Sequence, residues 1–158
     1  MLSRMDASEA LRLDRQICFL LYGASRAVTQ LYQPLLAPLG ITYPQYLVML
    51  VLWEEGTVAV GRLCERLYLD SGTLTPLLKR LEASGLVRRQ RSAQDARVVD
   101  ILLTPAGKRL KRDAASVPYA LACRVGLSSN ELVRVRRELA HLFDTVRGQV
   151  RAEEENVS

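Results

Sequence analysis

The sequence has a single histidine, His141, and only three cysteines, Cys18, Cys64 and Cys123, which stand far apart in a chain of 158 residues. A zinc site needs ligands clustered at short spacing, and a secreted disulfide framework favours an even number of cysteines in a shorter chain. The pattern disfavours both kinds of site, so we expect neither a metal nor a cofactor. Any chemistry in this chain is thiol chemistry.

Long apolar runs are also missing, because no stretch of about 18 uncharged apolar residues occurs. The segment from Met1 to Asp14 carries charges and lacks the apolar core of a signal peptide. Proline and glycine are scarce, at 6 and 9 residues, which excludes a collagen-like or disordered chain and is compatible with a helical globular one. We therefore expect a cytoplasmic protein that does not bind a membrane.

The net charge of +5 is concentrated in one segment. Between Ser71 and Arg97 six basic residues stand against two acidic ones, so this segment alone carries +4. A basic segment of this kind attracts a polyanion, although an ordinary solvated surface also accounts for it. From charge alone, nucleic acid and a solvated face stay equal alternatives.

The first half of the chain shows the apolar spacing of helices. We expect helices at Ser8–Leu36, Thr42–Glu55, Gly61–Leu67 and Ser71–Ser84. Two β-rich runs follow, Leu86–Arg91 and Val98–Thr104, and the polar turn between them predicts a hairpin.

Two further helices are expected after the hairpin. Thr104-Pro105 opens a fifth helix that reaches about Cys123. Ser128 and Glu131 predict a capping box for a sixth helix that reaches about Ala152, after which we expect the tail to fray.

The order helix, short helix, helix and basic hairpin is that of a winged helix-turn-helix. We therefore expect a mainly α fold with a small β-hairpin wing, and a DNA-binding protein rather than an enzyme. One face of the fourth helix is apolar, and the other offers hydroxyls and cations, which reach phosphates and base edges. The expected DNA-binding residues are Ser71, Thr73, Thr75, Pro76, Lys79, Arg80, Arg88, Arg91, Asp95 and Arg97, with Asp95 steering Arg97.

These segments resemble a known family. Leu69–Glu82, Asp95–Arg97 and Leu103–Gly107 are similar to the recognition helix, wing tip and post-wing helix start of the multiple-antibiotic-resistance (MarR) regulators. Cys18–Arg26 and Tyr32–Trp53 resemble the organic hydroperoxide resistance regulators of that family, which carry a peroxide-reactive cysteine. The resemblance extends over nearly the whole chain; one departure is Ala96, where relatives more often carry Glu.

The resemblance implies a single domain over 1–158. Its dimerisation helices are expected at about 8–38 and 105–152, with the winged helix-turn-helix at about 42–104. It further implies a homodimer whose two recognition helices enter the halves of a palindromic double-stranded operator, because a two-fold dimer reads matched half-sites.

The resemblance also implies roles for the thiols. Cys18 is expected to be the redox-sensing residue, and Cys123 the resolving residue of a two-cysteine regulator. The hydroxyls of Tyr32 and Tyr43 are implied to hydrogen-bond the Cys18 sulfur, with Tyr22 a further candidate, and such bonds favour the reactive thiolate. Organic hydroperoxides are the expected inducers, because burying each CH₂ of their alkyl groups contributes roughly 0.8 kcal/mol.

Two other functions stay open at this point. One is a repressor of the same fold that responds to a non-covalent small ligand and has inert cysteines. The other is a thiol peroxidase with an incidental basic patch, although no positive charge stands next to Cys18 as a fast peroxidase would require.

Overall fold

The computed structural model describes Glu9 and residues 11–93 and 95–157, and the chain divides into two compact units, Met1–Leu121 and Ala122–Ser158. The fold is mainly helical with a small antiparallel sheet, as predicted. Gln94, in the predicted hairpin turn, lies outside the described residues. No single helix in the described part of the chain is long and apolar enough to cross a membrane; Ile17–Leu39 and Tyr43–Glu55 meet that criterion only together, as a pair bent by 70°.

The first helix, α1 (Ile17–Leu36), begins later than predicted. A 3₁₀ turn at Leu13–Arg15 precedes it, and Arg12 donates to both carboxylate oxygens of Asp14, at 3.1 and 3.0 Å. Residues two positions apart do not face each other on an α-helix, so this ion pair requires another backbone. The predicted continuous helix is therefore wrong over residues 11–16, whereas Glu9 is helical and Ser8 lies outside the described residues.

The second helix, α2 (Tyr43–Glu55), runs through the core. The chain enters it through a 3₁₀ turn at Ala37–Leu39 and a left-handed Gly40 (φ 68°). Thr42, where the predicted helix begins, caps α2, and its backbone N–H donates to Gln45 Oε1 at 2.8 Å. The buried apolar residues of α2 are Tyr46, Val48, Met49, Val51 and Leu52.

Two helices and a sheet complete the winged helix-turn-helix. The helices are α3 (Val60–Leu67) and α4 (Ser71–Ala83), and the strands are β1 (Val58–Ala59), β2 (Val87–Arg91) and β3 (Val99–Leu103). The hairpin of β2 and β3 is confirmed within a residue at each end. β1 pairs with β3, which gives the order β1-β3-β2, and its two residues are too few for a sequence period to reveal them.

The apolar stripe predicted on α4 joins the core. Leu74, Leu78 and Leu81 are buried against α2, α3 and the sheet. Because the stripe faces inward, the opposite side of α4 is left in solvent.

The predicted fifth helix is in fact two helices. α5 (Pro105–Asp113) and α6 (Val117–Val125) are joined by a 3₁₀ turn at Ala114–Ser116. Pro118 has no N–H to donate to the carbonyl of Ala114, four residues earlier, so an uninterrupted α-helical ladder cannot pass this point.

The second unit contains one long helix, α7 (Ser129–Val157). The predicted capping box is confirmed, because Ser128 N–H donates to Glu131 Oε2 at 2.9 Å and Glu131 N–H to Ser128 Oγ at 3.3 Å. The expected fraying after Ala152 is wrong. No glycine or proline follows Gly148, and the helix continues through good helix formers.

The start of α5 packs directly on the base of the hairpin. Thr104 caps α5 by accepting the Gly107 N–H at 3.1 Å, and its hydroxyl donates to the Gly85 carbonyl at 2.6 Å. A Cβ at Gly107 would overlap the carbonyl oxygen of Leu86. The backbone of α5 at Gly107 is therefore in direct contact with the backbone of the hairpin at Leu86.

We expect Gly107→Ala to lower the free energy of unfolding by about 1–3 kcal/mol, because the backbone must move to admit the methyl group. Chemical denaturation measures this loss. Gly61→Ala is the control: nothing lies within 4 Å of a Cβ built there, so its stability should be unchanged or slightly higher. Equal losses in both variants would contradict the close packing at Gly107.

Candidate functional site

The solvent face of α4 carries the predicted recognition residues. Ser71, Thr73, Pro76, Lys79 and Arg80 are exposed there, and Thr75 is half-buried. The helix is capped by Asp70, whose carboxylate accepts the hydroxyl and the backbone N–H of Thr73, both at 2.8 Å. These two donors lower the pKa of Asp70, so its charge persists and complements the positive end of the helix dipole.

Both recognition threonines are oriented by bonds within the helix. The Thr73 hydroxyl donates to Asp70 Oδ2, and the Thr75 hydroxyl donates to the Ser71 carbonyl at 2.6 Å. Each bond restricts the rotation of its side chain. The helix therefore presents these two groups in fixed orientations.

The hairpin presents further cations. Arg88 and Arg91 are exposed on β2, and Arg97 is exposed in the turn. Asp95 Oδ1 accepts the backbone N–H of Arg97 at 2.8 Å. The expected pairing is therefore made with the backbone of Arg97, and Asp95 shapes the turn that carries its guanidinium.

Arg89, which the sequence prediction omitted, joins the wing to α4. Its Nε donates to Glu82 Oε2 at 2.7 Å, and its backbone N–H donates to Glu82 Oε1 at 3.0 Å. This pairing lowers the pKa of Glu82, and the ion pair therefore persists into acidic solution. The available signal in the sequence was Glu82, one of only two acidic residues in the basic segment Ser71–Arg97.

Cys18 lies in the first turn of α1, and its side chain is exposed. The adjacent apolar side chains Ile17 and Leu20 are also exposed, by 58% and 62%. Tyr22, one turn further on, accepts a bond from Arg26 Nη1 at 3.3 Å, and the guanidinium lies 5.6 Å from its ring centroid. Among the described residues, no side chain hydrogen-bonds the Cys18 sulfur.

Tyr32 and Tyr43 pack against each other. Their ring centroids lie 4.6 Å apart, and the ring of Tyr46 lies 5.8 Å from that of Tyr32. Burial, with the neighbouring phenols Tyr43 and Tyr46 contributing, raises the pKa of Tyr32 to about 12. Burial also raises the pKa of Tyr43. Both phenols therefore stay protonated, as hydrogen-bond donors, at physiological pH.

The length of α1 separates the phenols from the thiol of the same chain. Tyr32 follows Cys18 by fourteen positions on α1, which corresponds to about 21 Å along the axis, far beyond the reach of a tyrosine side chain. Tyr43 packs against Tyr32, 4.6 Å from its ring centroid, and therefore also lies far from Cys18 of the same chain. The hydrogen bonds from Tyr32 and Tyr43 to the Cys18 sulfur, which the resemblance implies, are thus impossible within one chain.

The other two thiols differ in exposure. Cys64 on α3 is half-buried against the core, whereas Cys123 is exposed in the second unit. In residues 9, 11–93 and 95–157, no three His, Cys, Asp or Glu side chains come together as metal ligands would.

Comparison with known proteins identifies relatives over most of the chain. The family described as transcriptional regulator SarA/Rot matches residues 30–114. The organic hydroperoxide resistance transcriptional regulator of Bacillus subtilis (strain 168) is 47% identical over 136 residues, covering 86% of this chain and 92% of that protein.

Solved structures of AbfR, a Staphylococcus epidermidis protein, are also similar. Reduced AbfR bound to DNA is 40% identical with a TM-score of 0.70, covering 88% of this chain and 97% of that one. Disulfide-formed AbfR is 39% identical with a TM-score of 0.59, covering 86% and 96%.

The half-buried phenols predict a loss of stability at high pH. Tyr32 ionises near pH 10 when unfolded and near pH 12 when folded, so its stabilising effect is complete below pH 10 and is lost as pH rises to about 12. We expect Tyr32→Phe to lose less stability than wild type between about pH 9 and about pH 11. Urea denaturation at both pH values measures this difference.

The matched control is Tyr119→Phe, which removes a phenol that is 78% exposed. The stability of this variant should fall between about pH 9 and about pH 11 by as much as that of the wild type. A Tyr32→Phe decline as steep as that of Tyr119→Phe would contradict the buried environment of Tyr32.

Proposed function

This chain belongs to the MarR and SarA family of winged-helix transcriptional regulators, of the organic hydroperoxide resistance type, and we propose that it is a repressor inactivated when an organic hydroperoxide oxidises Cys18. A regulator acts where its operator is, so we place it in the cytoplasm. The observation that carries the proposal is the position of an exposed thiol and a pair of phenols at opposite ends of α1.

A symmetric homodimer brings these two groups together. In a two-fold interface, residue i of one subunit meets residue j of its partner, and the reverse contact follows. Two antiparallel α1 helices would place Cys18 beside Tyr32 and Tyr43 of the partner subunit, twice per dimer. The thiol of one subunit would then meet the phenols of the other, although α1 keeps the thiol and phenols of each chain apart.

Exposed apolar faces support this dimer. On α1, Ile17, Phe19, Leu20 and Leu21 are 39–62% exposed next to the thiol. α7 has its own stripe at helical spacing, formed by Val135, Leu139, Phe143, Val146 and Val150. Faces of this extent on terminal helices are typical of interfaces between subunits.

The partner's phenols would activate the thiol. A phenol with a raised pKa donates to a thiolate without losing its own proton, and each such bond favours the thiolate. The Cys18 thiolate then attacks the outer oxygen of a hydroperoxide. The S–O bond forms as the O–O bond breaks, sulfur loses two electrons, and the alkoxide leaves and takes a proton to become the alcohol.

Cys123 of the partner subunit would complete the reaction. Its thiol attacks the sulfenic sulfur, the S–O bond breaks, water leaves, and a Cys18–Cys123 disulfide forms. A covalent bond between two dimerisation helices changes how the subunits fit together. A disulfide-formed state has been solved for AbfR, which supports this step as the switch.

The DNA-binding surface would be α4 and the wing. Thr73, Thr75, Lys79 and Arg80, with Ser71 and Pro76, would enter the major groove. Arg88, Arg91 and Arg97, with Asp95 shaping the turn, would contact the backbone and the minor groove. A change in the spacing of two recognition helices costs several such contacts, about 1–3 kcal/mol for each good bidentate pair, so oxidation releases the operator.

We expect Cys18→Ser to bind operator DNA with the affinity of reduced wild type but to stay bound when cumene hydroperoxide is added. Serine keeps the shape but cannot form a sulfenic acid. A gel-shift titration with and without oxidant measures release. The wild type should also give a covalent dimer of the 17.7 kDa chain on a non-reducing gel.

Two matched variants separate the thiols. Cys123→Ser should form a stable sulfenic acid at Cys18 without the covalent dimer, and Cys64→Ser should respond as wild type. Release of Cys18→Ser at wild-type oxidant concentrations would overturn redox sensing and favour a non-covalent ligand.

Arg97→Ala should weaken binding to all DNA sequences alike and lower the slope of log K against log salt by about one. A backbone contact releases a counterion and carries no base information, which explains both effects. Fluorescence anisotropy with operator and unrelated DNA at several salt concentrations measures them. Arg137→Ala, which removes an α7 arginine paired with Glu138, is the control and should change neither.

A further inference from the structure

The phenols proposed to meet Cys18 are the first members of a continuous set of ring contacts. Tyr43 packs on Tyr32, the Tyr32 ring centroid lies 5.8 Å from that of Tyr46, and Tyr46 makes an edge-to-face contact with Trp53 at 6.1 Å between centroids. Tyr46, at 2% exposed, is almost fully buried, so these rings have little freedom to move independently. Displacement of the phenols therefore reaches Trp53.

Trp53 is held to α5 in two places. Its indole N–H donates to the Gly107 carbonyl at 2.9 Å, and its own carbonyl accepts a bond from Lys111 Nζ at 2.9 Å. Gly107 is in turn packed on the Leu86 backbone at the base of β2, and Thr104 binds the same segment. A shift of the indole is thus passed to the base of the wing through backbone contacts.

We propose that Trp53 is the positioning residue that couples the thiol site to the wing, and that its indole N–H bond to the Gly107 carbonyl transmits oxidation of Cys18 to the DNA-binding surface. The inference rests on the proposed function and specifies how that site is regulated. It adds no chemical step, because Trp53 contacts neither the thiol of its own chain nor the predicted DNA-binding residues.

The chain supplies its own probe for this coupling. Trp53 is the only tryptophan, so intrinsic tryptophan fluorescence reports on this residue alone. During titration of the wild type with cumene hydroperoxide, the emission should change in parallel with operator release. Cys18→Ser should show no change, which controls for direct oxidation of the indole.

Trp53→Phe tests the hydrogen bond itself. Phenylalanine keeps an aromatic ring against Tyr46 but has no N–H for Gly107. For the wild type, oxidation should raise the Kd for operator by at least roughly tenfold, as expected for an ordinary coupling between sites. In Trp53→Phe the reduced protein should bind within about threefold of wild type, and oxidation should raise Kd by no more than about twofold.

Tyr46→Phe is the matched control, because it also removes one polar atom from a ring of the set but keeps every ring contact and the Gly107 bond. It should retain the wild-type ratio of oxidised to reduced Kd. In both variants, mass spectrometry should show the same oxidation of Cys18 as in wild type. A loss of release with unchanged oxidation is a result that simple destabilisation of the sensor does not produce.

The outcomes distinguish this inference from the proposed function. If oxidised wild type keeps its operator, the proposed function fails before any Trp53 variant is made. If wild type is released while Trp53→Phe is released equally, the coupling through Trp53 is wrong. Should Trp53→Phe fail to fold, wild-type fluorescence decides, and emission that stays constant through complete release overturns the inference.

Discussion

An α-helix fixes the distance between the groups at its two ends, and α1 fixes it between a thiol and the phenols that would activate it. Cys18 stands in the first turn, and Tyr32 stands about 21 Å further along the axis. No rotamer change brings them together within one chain. Sensing of the proposed kind is therefore a property of a pair of chains, and the exposed apolar side chains beside Cys18 are the surface through which a pair would form.

The DNA-binding half of the fold is constructed differently, because its parts are held rigidly to one another within the chain. Asp70 fixes the start of α4, the Glu82–Arg89 ion pair ties the other end of α4 to β2, and Gly107 packs on Leu86 at the base of the wing. These bonds make the recognition helix and the wing respond as one body. In the proposed switch, oxidation would need to move this body only as a whole to disturb its fit to DNA.

Local signals in the sequence predicted the elements well, because caps and periodicity act over a few residues. Thr42, Asp70, Thr104 and Ser128 each begin a helix as their side chains indicate. The prediction failed ahead of α1, where the chain forms a 3₁₀ turn that carries the Arg12–Asp14 pair, and at the junction of α5 and α6, where Pro118 in the first turn of α6 cannot continue the hydrogen-bond ladder.

The site was predictable in composition but not in arrangement. Side-chain chemistry indicated the cations of α4 and the wing, yet Arg89 differs from Arg88 and Arg91 only through its contact with Glu82, a tertiary pairing. Resemblance pointed to Tyr32, Tyr43 and Cys18, but only the length of α1 shows that the phenols cannot reach the thiol of their own chain.

The internal bonds of Thr73 and Thr75 limit which base edges these two hydroxyls could recognise in the proposed complex with DNA. Each hydroxyl has one hydrogen, and both hydrogens are committed, to Asp70 and to the Ser71 carbonyl. While those bonds persist, the two oxygens act as acceptors only. At the proposed major-groove interface they would match the amino groups of cytosine and adenine, whereas guanine and the phosphates, which present only acceptors there, would be left to Lys79 and the arginines.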